Sequence, residues 1–162
     1  DLVPALEARN APGFGDELGA LAVAVEQRRP VEEVNGIYDS LLTAISAAEQ
    51  VVQTPGPRLL GDVIVDMVST AAAEYDIAVA DDLTLENAHE YQDSYGFMQV
   101  AYAVLSQLEA ANADADAVSR IREQLDSIMP AWSGLNPPAR LHTQASVIYG
   151  AASRVELVVS GL

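Results

Sequence analysis

Four polar side chains in one short stretch, Glu86, His89, Glu90 and Asp93, stand three, four and seven residues from Glu86. On a helix rising about 1.5 Å per residue, that spacing places them on one face within roughly 10 Å of axis. The product is a carboxylate-rich patch with one imidazole. Hard oxygen donors with a single nitrogen suit iron, manganese or zinc better than copper(I). Glu74, or Asp76, reaches the same region from the preceding helix across a turn at Asp81-Asp82. The competing reading is that acids gather in the first turn of exposed helices because the positive end of the macrodipole and solubility favour them there.

The remaining polar patterns carry less. Glu86-x-x-His89 is the spacing by which a bundle helix binds one metal through a carboxylate and an imidazole. A di-iron bundle needs a second copy, and the only other histidine, His142, has Ala139 at minus three, which disfavours a ferritin-like oxidase. Tyr91, Tyr95, Met98, Tyr102 and Leu105 form a second face of the same helix, either a row of phenolates beside the metal or, more simply, core aromatics with hydroxyls at the edge. His142, Ser146, Tyr149, Ser153 and Glu156 make a polar stripe that lines a pocket or faces water. No cysteine, no Gly-x-Ser-x-Gly elbow and no phosphate-binding glycine loop is present, so no catalytic or cofactor-binding residue is assigned and an enzyme is not expected.

These residues need elements to hold them. At 162 residues and 50% hydrophobic content the chain is long enough for a substantial core. Residues 1–15, with Pro4, Pro12, Gly13 and Gly15, read as an arm or linker, and 16–162 as a single helical domain. Apolar positions recur at three and four over 16–29, with Asp16 as cap, and over 31–53, which stops at Thr54-Pro55-Gly56-Pro57. A helix over 58–79 follows, then one from Thr84 as cap to Ala111, a shorter one recapped at Asp114 or Asp116 and ending at Pro130, and a last one starting at Asn136-Pro137-Pro138. The expectation is an all-α, antiparallel up-and-down bundle with four long helices and one or two short ones, cored by Ile45, Ile64, Met67, Phe97, Leu105 and Ile148.

The order of residues around the acidic turn adds a resemblance. Glu74-Tyr75-x-x-Ala78-Val79, then Asp81-Asp82-Leu83, then Glu90-Tyr91-x-Asp93-x-x-x-Phe97 resembles the extracytoplasmic helical region fused to the membrane part of bacterial high-affinity iron permeases. The resemblance implies a periplasmic or otherwise extracytoplasmic domain, iron or another divalent cation as the bound ion, and a membrane permease or redox partner. Arg122-Glu123-x-x-Asp126 is superficially similar to the Arg-Glu-x-x-Glu of permease membrane helices but ends in Asp on a polar helix, so it takes no transport role. The rival expectation is a structural or sensory interaction bundle whose acidic face docks a basic partner.

Charge and hydropathy narrow the partners. All eight basic residues are arginines, 24 acids oppose them, and the net charge is −16. Such a chain repels phosphate backbones and attracts cations and basic proteins. No run approaches the ~18 apolar residues of a membrane span. Asp1 is no initiator methionine and no charged segment precedes an apolar run, which leaves export open, as does the lack of cysteine. Accordingly, the protein should pass unretained through heparin and DNA matrices at physiological salt; retention there would contradict the charge argument.

Overall fold

The computed structural model describes residues 6, 8–51 and 55–162. The chain divides into two compact units, Asp1–Thr54 and Pro55–Leu162. The domain expected over 16–162 therefore runs through both, and part of the expected arm, residues 1–5 and 7, lies outside the described residues.

In the first unit, α1 (Gly15–Glu26) and α2 (Val31–Glu49) form a helical pair with Ala24, Leu41 and Ala48 buried. Pro30 opens α2 as N-cap, its fixed φ needing no donor there. Asp16 lies inside α1 rather than capping it, and Ile45 is only half-buried.

The second unit is a bundle of α3 (Pro57–Ala78), α4 (Ala88–Ala110), α5 (Ala115–Ile128) and α6 (Ala145–Val159), with a 3-10 turn at Met129–Ala131. Pro57 sits at the first position of α3, where a missing N–H costs nothing. α3 packs on α4 and α6, and α5 on both α4 and α6. Each helix turns one stripe inward: Ile64, Val68 and Tyr75 from α3, Met98 and Leu105 from α4, Ile121 and Leu125 from α5, Ile148 and Val155 from α6. Met67 and Phe97, expected at the centre, pack half-buried against this core. Gly61 lets α3 and α6 approach closely, since a Cβ there would lie 2.8 Å from a Val159 methyl. Arg58 ties the same end by donating to the Val159 carbonyl at 3.3 Å.

Two helix starts differ from the sequence expectation, and one long-range contact explains both. The third long helix begins at Ala88, capped by Asn87, because Thr84 instead hydrogen-bonds the Asp82 side chain through its N–H and hydroxyl. Leu83 turns through left-handed backbone at φ +69°, and residues 84 and 85 then bridge to Arg140 and Val79: the Leu85 N–H donates to the Ala139 carbonyl at 3.1 Å, and the Leu141 N–H to the Leu83 carbonyl at 2.8 Å. The segment after Pro137-Pro138 is thereby held as a strap with Leu141 buried, and α6 starts only at Ala145. A residue before proline also avoids helical backbone, which removes Asn136 and Pro137 as helical positions.

Ile148 is wholly buried between these helices. Its replacement by Ala should lower stability by about 2–5 kcal/mol in denaturant unfolding; a change within error would contradict the packed α6 face.

Candidate functional site

The first two turns of α4 bring together three of the five expected ligands. Asn87 caps the helix, its side-chain oxygen accepting from the His89 N–H at 3.1 Å and the Glu90 N–H at 3.4 Å. Glu90 returns toward the cap, accepting from the Asn87 amide at 3.5 Å. This reciprocal arrangement satisfies otherwise orphaned donors and fixes the Glu90 carboxylate over the helix start. One donor atom each from His89, Glu90 and Asp93 lie within 4.8 Å of one another. His89 Nδ1 stands 3.5 Å from an Asp93 carboxylate oxygen and 4.0 Å from one of Glu90. The imidazole is exposed, its side chain at 76% of full accessibility, so the face is open to ligands from solution.

Glu74 and Glu86 fall outside that triad. Glu74, half-buried on α3, meets Glu90 across the helix pair. A hydrogen bond with Glu90 raises the Glu74 carboxyl above the ordinary carboxylate range, with desolvation and the charges of Glu90 and Asp93 acting the same way and His89 opposing. Glu86 lies ahead of the cap rather than on the helix, exposed, with its N–H donated to the Ala78 carbonyl at 2.9 Å. Helical spacing fails for it because the helix has not yet begun.

Beneath the acidic face lies a buried polar network that periodicity did not expose. Ser94 is wholly buried; its hydroxyl donates to the Ala71 carbonyl on α3 at 2.7 Å and accepts from the Trp132 indole N–H at 3.1 Å. Trp132 packs edge-on to Tyr75 with ring centres 5.3 Å apart. The Tyr75 hydroxyl donates to the Thr143 carbonyl, and the Tyr91 hydroxyl accepts from the Ser133 N–H. Burial, with a smaller effect of Tyr91, pushes the Tyr75 hydroxyl up to about 12. Among the described residues no buried side-chain polar atom lacks a partner. Tyr75 and Tyr91 are thus engaged with the loop after α5, not directed at a metal. A sequence cue did exist: Ser94 interrupts the Tyr91 and Met98 stripe, and the chain has one tryptophan to meet it.

The other candidates resolve into ordinary surface structure. His142 sits exposed in the strap before α6, off the stripe of Ser146, Tyr149, Ser153 and Glu156, and Ser153 donates to its own helix at the Tyr149 carbonyl. Arg122 pairs with Glu109 at 2.7 Å, Glu123 is exposed, and Asp126 accepts from the Tyr102 hydroxyl at 2.8 Å. Among the described residues no helix is long and apolar enough to cross a membrane.

The family model described as iron permease-associated 4-helix bundle domain matches residues 53–157, well over half of the chain. No curated protein and no solved structure matches it.

The Glu74–Glu90 contact has a pH signature. A carboxyl raised in the folded state favours folding while protonated and loses that contribution as pH rises through its folded value. The difference in melting temperature between Glu74→Gln and the parent should therefore shift in favour of Glu74→Gln as pH is raised from the acid side of the carboxylate range to neutrality. A difference independent of pH would show that the two carboxyls do not interact.

Proposed function

The chain belongs to the iron permease-associated 4-helix bundle domain family, and from that membership together with the α4 donor cluster we propose that it is a non-catalytic, extracytoplasmic bundle working beside a membrane iron permease, holding iron or a similar cation as cargo through His89, Glu90 and Asp93. The observation that carries the reading is the convergence of one imidazole and two carboxylates within 4.8 Å on an exposed helical turn. Two hard oxygens and one borderline nitrogen match iron, manganese and zinc. Three protein donors leave coordination positions for water or a transfer partner.

The surroundings argue for weak, releasable binding. The α4 N-terminus carries the positive end of the helix dipole, which favours the carboxylates and disfavours a cation beside them. In the other direction, a cation relieves the mutual repulsion of Glu90, Asp93 and the nearby Glu74. Glu74, whose carboxyl is raised above the ordinary range, adds its negative charge beside the triad only as it deprotonates, so binding strengthens as pH rises. Glu74 serves as a flanking carboxylate, and Glu86 adds negative field from the segment before the cap.

The test is a titration of iron, manganese and zinc into the parent and into a folded His89→Ala/Glu90→Gln/Asp93→Asn variant. The parent should gain about 2.7 kcal/mol of stability at a cation concentration a hundredfold over the dissociation constant, with the variant unresponsive. Equal calorimetric heats or equal melting shifts in the two proteins would remove the site.

A further inference from the structure

An open groove of about 470 Å³ runs along the outer side of α3 and α4, lined by Glu74, Gln92, Asp93, Gly96, Phe97 and Val100. Its composition is divided along its length. Glu74 and Asp93 place acids at one end, while Phe97, half-buried, and Val100, 45% exposed, provide an apolar floor toward the other. No arginine lines it. Gly96 sits in the middle of α4, where glycine weakens a helix relative to alanine. At Gly61 the missing Cβ is used by Val159, but over Gly96, its own turn of helix aside, no described atom lies within 4 Å of where a Cβ would stand. The space above that backbone is left free by the chain's own packing.

We propose that this groove is a docking site for a basic peptide segment of a protein partner, an arginine or lysine pairing with Glu74 and Asp93 while an adjacent aliphatic side chain covers Gly96, Phe97 and Val100. Charge selects the occupant: a chain of net charge −16 repels a second copy of itself and draws a cationic segment. The groove is shallow and open, which suits a peptide lying along the helix surface rather than a ligand enclosed in a cleft. An exposed apolar surface rimmed by charge is the usual anatomy of a docking site. Asp93 belongs also to the cation triad, so peptide and cation oppose each other at that carboxylate. The groove itself does not depend on metal binding.

Two synthetic helical peptides of equal length and charge serve as probes for the full chain: one with arginines beside leucines on a single face, the other with serine replacing each leucine. By fluorescence anisotropy the leucine peptide should bind about tenfold or more tightly than the serine peptide, the factor that one buried aliphatic side chain supplies. Both affinities should fall with added salt. Gly96→Leu, which fills the floor, should erase the preference for leucine while keeping the helical spectrum and the melting response to cations. If Gly96→Leu misfolds, Val100→Ser gives the same reading by making the floor polar. An equal affinity of the two peptides, or a leucine preference that survives in the folded variant, overturns the proposal. So does a concentration-dependent dimer in sedimentation that Gly96→Leu dissolves, since the groove would then belong to a second copy. A parent chain that discriminates the peptides but ignores cations would remove the cation site alone.

Discussion

The Ser94 hydroxyl is the joint on which the bundle's upper end depends. Tyrosine hydroxyls apart, it is the one polar side chain among the fully buried described residues, and it links three elements: its own helix α4, the Ala71 carbonyl of α3, and the Trp132 indole of the loop after α5. A buried polar group costs free energy unless it is paired, about 1–3 kcal/mol for an orphaned donor or acceptor. Here each member satisfies another, so the three must come together or not at all. With Trp132 fixed, Tyr75 stacks edge-on against it and ties Thr143, while Tyr91 holds Ser133. The loop joining α5 to α6, which is too long to be set by local turn chemistry, is thereby laid across the ends of α3 and α4.

That loop in turn sets where the acidic face begins. Once 139–141 lies along 83–85, Thr84 and Leu85 are held in bridges rather than in a helical turn, and the helix opens at Asn87. The cap then decides which acids converge: Glu90 is the third residue of the helix and folds back toward Asn87, while His89 and Asp93 are one turn apart on the exposed side. Glu86, one residue before the cap, is separated from them by a change of backbone rather than by distance along the sequence. The site's membership thus follows from a hydrogen-bonded strap some fifty residues away in the chain.

Much of the bundle was legible because burial of a helix writes a three-and-four rhythm into the sequence: Ile64, Leu105 and Ile148 are read inward and lie inward. The helix ends were less so. Thr84 and Asn87 are both competent caps, and local sequence does not say which one pairs with the chain; the choice rests on Leu141 meeting Leu83, an interaction with no local signature. Pro137-Pro138 likewise suits a helix start or a strap, and the same contact decides. Met67 and Phe97 carry the right periodicity yet sit at the rim, because a stripe gives direction and not depth. The break at Thr54-Pro55-Gly56-Pro57 shows where a helix must stop but not that two compact units meet there.

The interleaving of roles on α4 has a consequence for substitution. Positions 91, 94 and 98 are locked into the interior, while 89, 90 and 93 between them project outward and share none of their partners except the Asn87 cap. Substitution at the exposed His89 and Asp93 leaves the buried Ser94–Trp132 network intact, whereas Glu90 also accepts from the Asn87 cap. Exchanging imidazole for carboxylate, or carboxylate for amide, at 89 or 93 changes surface charge without creating a cavity, while truncating 91 or 98 would leave one in the core. A packed interior and an exposed exterior thus alternate along a single helix, so the charge of that surface can change with little repacking beneath it.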